Sequence, residues 1–227
     1  MTTGITCENI VYRYPGASAA LFQGLSFQLK EPGFNALFGP SGVGKTSLAK
    51  IIVGEIKDFT GAVRADGMNR LLYAYNMERL PDWSSVGKHL DRVSPETAGD
   101  RKGALVEAFG MANYLGRRFS QLSLGQQNRI NLMRYLLQEF ELLIMDESLA
   151  NVDEPTRQAI LYKIKSIFPD AGFLYISHNV VEVSQFCDQI VVFRGAHQSP
   201  QTRQIRGQDH HESRPLDKRA LERTMLE

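Results

Sequence analysis

Residues 39–47 read GPSGVGKTS, and no other stretch of the 227-residue chain restricts its fold as tightly. The run fits the pattern G-x-x-x-x-G-K-[ST]. It follows FNALF (Phe34–Phe38), a compact apolar run of buried-strand length. It precedes Ser47–Val53, where Leu48, Ile51 and Ile52 recur at helical spacing until Gly54 stops them. A strand, a glycine loop and a helix in that order form a cradle for phosphate. Without Cβ atoms, successive backbone N–H groups turn inward on the anion. A helix beginning near Gly44 adds the positive end of its dipole. The cradle comprises Gly39, Pro40, Ser41, Gly42, Val43, Gly44, Lys45, Thr46 and Ser47. Lys45 suits the β- and γ-phosphates of a nucleotide, and the Thr46 hydroxyl suits magnesium. The rival reading is a glycine turn with a solvated lysine, and the flanking strand and helix argue against it.

A second constellation follows in ELLIMDES. Leu142–Met145 is an apolar strand that delivers Asp146 and Glu147 to its end. Asp146 suits a water-mediated hold on magnesium, and Glu147, one residue on, can polarise an attacking water as general base. Two acids after an apolar run can also be a solvated turn; the upstream cradle favours the catalytic reading. Strand-like runs return at Phe173–Ile176 and Ile190–Phe193, with helical patterns at Thr156–Phe168 and Val180–Phe186 between them. This alternation predicts an α/β fold with a mainly parallel sheet covered by helices. Upstream, ITCENIVYRY and LSFQLK read as short strands broken at Pro15–Gly16. Met77 to Phe119 is polar and helical, punctuated by Pro81, Pro95 and Gly99, and predicts a separate helical lobe. After Gly195 the chain is polar and aperiodic, which predicts a surface linker, with one short helix over Leu216–Leu226.

Composition narrows the class further. Apolar residues make up 43% and charged residues 22%, as in an ordinary globular protein. A net charge of +1 gives no electrostatic pull toward nucleic acid, and no nucleic-acid partner is expected. Cys7 and Cys187 stand far apart, without metal-ligand spacing, as in a reduced intracellular chain. No basic stretch followed by an apolar run opens the sequence, and no window approaches eighteen apolar residues. A cytoplasmic location is expected.

QLSLGQQ (Gln121–Gln127) then resembles the signature of the ATP-binding cassette (ABC) family, usually LSGGQ, with a helix after it at Asn128–Gln138. The order also matches: cradle, helical lobe, signature, ELLIMDE, the SLANVD loop ending at Asp153, then a strand closing on His178 in YISH. The resemblance covers about Ile5 to Arg194. It implies a P-loop NTPase core, an N-terminal antiparallel β subdomain and an α-helical subdomain inserted at about 77–135. A polar extension would follow from 196 to 227.

The resemblance also implies an ATPase that uses ATP and Mg2+ and works as a head-to-tail pair, with itself or with a related subunit. Glu147, His178 and Lys45 would serve catalysis. Thr46, Asn76 and Asp146 would hold magnesium. Tyr14 would stack on adenine, with Tyr12 as fallback. Ser123, Leu124, Gly125 and Gln126 would close over the partner's ATP, Ser123 and the Gly125 N–H meeting the γ-phosphate, which His178 also contacts. Two positions depart from the family: Leu124 replaces the first signature glycine, and Asn76, after LLYAY, replaces a glutamine and is one methylene shorter. The segment ERLPDWSSVGKHL resembles the part that in transporters meets the membrane subunit, and Trp83 and Leu80 are either its docking anchors or core.

The function implied is the ATP-hydrolysing subunit of a transporter, peripheral to the cytoplasmic face of the cell membrane. It would work with integral membrane permease subunits and, for an importer, a substrate-binding protein. The alternatives are a soluble ABC ATPase acting on nucleic acid or ribosomes, and a nucleotide sensor of low turnover. The first usually carries two cassettes or long coiled-coil insertions. Against the second stand Glu147 and His178.

Overall fold

The structure, a computed structural model, describes residues 4–30, 33–76, 78, 80, 82–95, 98, 100–195 and 198–226. In chain order the strands are β1 (Gly4–Tyr12), β2 (Phe22–Lys30), β3 (Phe34–Phe38), β4 (Thr60–Asp66), β5 (Leu71–Tyr75), β6 (Leu142–Asp146), β7 (Gly172–Ser177), β8 (Gln189–Phe193) and β9 (Thr202–Arg206). The helices are α1 (Lys45–Ile52), α2 (Val86–Val93), α3 (Arg101–Ala108), α4 (Leu124–Leu136), α5 (Glu154–Ile167), α6 (Val180–Phe186) and α7 (Lys218–Leu226).

Two sheets result. An antiparallel one has the order β2-β1-β4. A six-stranded one has the order β5-β6-β7-β3-β8-β9, parallel except for its last strand. Period-two alternation divides the larger sheet's residues between two cores. Phe34, Ala36, Leu143, Met145, Phe173 and Tyr175 join α4, α5 and α6 on one face. Leu37, Leu142, Ile144, Leu174 and Ile176 join α1 and the antiparallel sheet on the other. A strand buried on both faces has no polar side to show, which is why LLIM reads as an unbroken apolar run and FNALF as one interrupted only by the buried Asn35.

Apolar residues of α2 and α3 (Val86, Leu90, Leu105) belong to the same cluster as the sheet's α4–α6 face. Met77, Pro81 and Gly99, used to bound and punctuate the helical lobe, lie outside the described residues. Pro95 follows α2, as the sequence suggests.

Three expectations need correction. The helix expected at Asn128–Gln138 begins four residues earlier, at Leu124, so the signature is its first turn. Ser123 caps it: its Oγ accepts from Gln126 N while Gln126 Oε1 accepts from Ser123 N, a capping box. Second, the stretch expected to be a surface linker contains a strand over Thr202–Arg206. TRQIR forms β9, antiparallel to β8, and places Thr202 in the interior. Its single edge contact leaves most of its side chains polar, which hid it from hydropathy. Third, Tyr12 is 6% exposed within the core and offers no face to a base.

Candidate functional site

In a parallel sheet every strand's C-terminal end lies on one edge, and ligands gather there. Here the loop after β3 is the cradle, that after β6 carries Glu147, that after β5 carries Asn76, and that after β7 carries His178. β7 alone separates β3 from β6, so cradle and acids converge although about a hundred residues part them. They line a cavity of about 600 Å3, within the range of small-molecule sites.

The cradle's shape depends on Gly44. It adopts φ 103° to cap α1, and a Cβ there would meet the Phe22 ring at 2.7 Å. Ser41, Gly42, Gly44, Lys45, Thr46 and Ser47 line the cavity. Gly39, Pro40 and Val43 do not; Gly39 is buried against Phe193, and the Gly39 and Pro40 carbonyls accept from Lys45 Nζ at 2.7 and 2.8 Å. Burial pushes the Lys45 ammonium below its usual range, and Glu147 and Asp146 partly restore it. An anion entering the cradle would compensate that burial.

Thr46 Oγ1 donates to Asp146 Oδ2 at 2.7 Å. Burial pushes the Asp146 carboxyl above its ordinary range, while hydrogen bonds from Thr46 and Tyr73 pull it back. Beside it Asn76 lines the cavity, and its Oδ1 is buried without a hydrogen-bond partner among the described residues. A hydroxyl, a desolvated carboxylate and an orphaned amide oxygen form a hard donor set that fits magnesium.

Glu147 occupies φ 47°, rare for a residue with a Cβ, and its N–H donates to Ile176 O at 3.1 Å. The turned backbone aims its carboxylate at the cavity mouth, where His178 Nδ1 lies 3.4 Å from Glu147 Oε1. His178 thus joins Glu147 without lining the cavity. Tyr14, half exposed, sits at the rim and hydrogen-bonds Ser47 Oγ at 2.5 Å.

The signature stands apart: Ser123, Leu124, Gly125 and Gln126 are absent from the cavity lining. Leu124, 53% exposed, sits in the first turn of α4, where a side chain meets solvent and a glycine is dispensable. Gly125 is indispensable, because a Cβ would lie 2.2 Å from Asn151 O of its own chain. Gly125→Ala should therefore cost about 1–3 kcal/mol by overpacking. For a chain of this size that lowers Tm by roughly 2–12 °C, measurable by circular dichroism. An unchanged melt would refute the contact.

Sequence reasoning missed Leu21, Lys50, Glu55, Tyr73 and Tyr75, which also line the cavity. The two tyrosines were detectable: in LLYAY they alternate, and so share one face. The other three carry no motif. Trp83 and Leu80 part company: Leu80 joins the core and Trp83 is 76% exposed.

A parallel sheet with a glycine cradle after one strand and acids after another defines a P-loop nucleotide-binding protein. More particularly, the chain belongs to the ABC transporter family, whose model matches residues 22–150, more than half of it. It is 34% identical over 184 residues to the molybdenum import ATP-binding protein ModC of Brucella melitensis, covering 71% of this chain and 51% of that protein. It is 27% identical over 202 residues to the spermidine/putrescine import ATP-binding protein PotA of Mycoplasma mycoides subsp. mycoides, covering 82% and 57%. The chain thus spans about half the length of the curated relatives it matches. Among solved structures, an ATP-binding subunit of an ABC transporter superposes with a TM-score of 0.73 at 20% identity, over 84% of this chain and 85% of that one. An Atm1-family ABC exporter with ATP bound gives 0.73 at 22%, over 84% and 37%. At these identities the likeness shows the fold.

Proposed function

We propose that this chain is the ATP-hydrolysing subunit of an ABC importer. Convergence of Lys45, the Thr46–Asp146 pair and Glu147 on one cavity is the observation that carries this reading. The triphosphate lies in the cradle against the α1 N-terminus and Lys45. Thr46, Asp146 through water, and Asn76 would hold Mg2+, which would neutralise phosphate charge. Glu147 accepts the proton of the attacking water, and His178, 3.4 Å away, holds Glu147 and the γ-phosphate in register. Tyr14 supplies the adenine platform.

Sites are shared between two copies, each signature closing over the other's nucleotide. We divide the chain into a cassette over 1–195, with an inserted helical part at about 77–135, and a C-terminal extension over 196–227 whose β9 adds the last strand to the cassette's own sheet. Closure would reach membrane subunits through the helical part. Asn131 Nδ2 donates to Tyr75 O at 3.1 Å, and Glu78 takes Tyr135 Oη at 2.8 Å and an ion pair with Arg134. These bonds tie α4, which carries the signature, to the loop of Asn76. Exposed Trp83 on the same segment is an aromatic anchor for a permease.

Among the described residues no helix is long and apolar enough to cross a membrane. The partners proposed are integral permease subunits, met at the cytoplasmic face. A substrate-binding protein completes an importer. Import is favoured by the relatives' names; the cargoes those names give, molybdenum and spermidine/putrescine, are unlike each other, so the cassette leaves the cargo open.

Lys45→Ala tests the binding half. Losing one charge-assisted contact of about 1.5–3 kcal/mol should raise the Kd for a fluorescent ATP analogue by at least about tenfold. An unchanged Kd would reduce Gly39–Ser47 to a turn.

A further inference from the structure

The Asp146 carboxylate accepts two hydrogen bonds, and the family motifs account for only one donor. Thr46 comes from the cradle; Tyr73 Oη also donates to Oδ2, at 2.8 Å. Tyr73 lies on β5, where the register pairs it with Ile144 and pairs Tyr75 with Asp146. It therefore stands one pleat before the acid on the same face of the sheet, close enough for a phenol to reach across. Its ring belongs to the apolar cluster beneath α1, with Leu48, Ile51, Leu142, Ile144 and Ile176. Tyr73 is 8% exposed, so a phenylalanine or leucine would fill the space. A hydroxyl buried there needs a partner, and the partner present is the carboxylate.

Both hydrogen bonds fall on Oδ2 and, among the described residues, none on Oδ1. Thr46 alone would let the carboxylate pivot about one contact. A second donor from the opposite strand removes that freedom. We propose that Tyr73 is a positioning residue for the site proposed above: its hydroxyl fixes the Asp146 carboxylate so that Oδ2 faces Thr46 and Oδ1 is left for the water shell of Mg2+. This inference rests on the reading above that Asp146 takes part in holding magnesium.

Tyr73→Phe removes the hydroxyl and keeps the ring. Titration with a fluorescent ATP analogue, once in Mg2+ and once in EDTA, separates metal-linked from metal-free affinity. In EDTA the variant should match the wild type, which also shows that it folds. In Mg2+ its affinity should fall about tenfold, the scale of one hydrogen bond to a charged group. On an Asp146→Asn background the same substitution should have no further effect on the Mg2+ dependence, because Tyr73 acts through that carboxylate. A fall of equal size in EDTA and Mg2+, no fall in Mg2+, or a loss that persists beside Asp146→Asn would overturn the inference. A wild type that binds no analogue, or binds it indifferently to Mg2+, would instead overturn the proposed function, and this inference with it.

Discussion

Glu147→Gln should keep ATP affinity and lose turnover by at least about a thousandfold. A general base contributes on the order of 10² to 10⁴ to a rate, and it acts on water rather than on the ground-state nucleotide. The structure adds a reason for the upper part of that range. Glu147 sits at φ 47°, a backbone that costs about 1–3 kcal/mol for a residue with a Cβ. Its N–H is pinned to Ile176 O, and its carboxylate lies beside His178. Such placement fits a single task, and glutamine at that position keeps the shape without accepting a proton. Phosphate release gives the rate, and equilibrium titration gives the affinity. With hydrolysis blocked, ATP should also hold two copies together, visible as a dimer by size exclusion. Hydrolysis near the wild-type rate would remove Glu147 from the base's role.

How much of this was legible depends on where each residue's constraint originates. The cradle and the acids were readable because both follow strands buried on two faces. FNALF and LLIM are almost wholly apolar, with Asn35 the one polar side chain buried among them, and the residues that directly follow them belong to the site. β9 was illegible because an edge strand paired on one side keeps polar side chains outside, and TRQIR then looks like a loop. The extent of α4 was misjudged for a different reason: a signature containing glycine reads as a turn, although Ser123 caps a helix that Leu124 and Gly125 begin. Gly125 itself was expected to be small for a phosphate's sake. Its tightest neighbour is Asn151 O of the same chain, which presses α4 onto the loop after Glu147; Asn128 Nδ2 fastens that loop again at Ala150 O, 2.6 Å. Such a requirement arises from tertiary contact, and only coordinates reveal it. Tyr73 belongs to the same class, since its hydroxyl looks like any strand tyrosine until β6 is laid beside it.

Ser123→Arg should abolish hydrolysis while leaving each copy able to bind nucleotide through its own cradle. Ser123 is exposed at the start of a thirteen-residue helix, and none of Ser123–Gln126 lines its own chain's cavity. A helix N-terminus with a hydroxyl cap suits an anion, and one supplied by a second copy satisfies the arrangement. The substitution also removes an N-cap worth about 1 kcal/mol, so melting must show that the variant remains folded. Mixing then separates a shared site from a private one. Ser123→Arg and Lys45→Ala proteins are each expected to be inactive. Their mixed dimer has one site damaged twice and one built from an intact cradle and an intact signature. Activity should return in part, toward half of wild type per mixed dimer when the sites fire independently. Dimers whose two sites must fire together would stay silent, so a second measurement decides. Ser41 is exposed in the cradle, and cysteines placed at Ser41 and Ser123 should cross-link between copies only when ATP is present. The native thiols do not compete: Cys7 and Cys187 are buried, and burial pushes Cys7 up to about 12 and raises Cys187 as well. Cross-links within one chain, or formed regardless of ATP, would refute the head-to-tail pair.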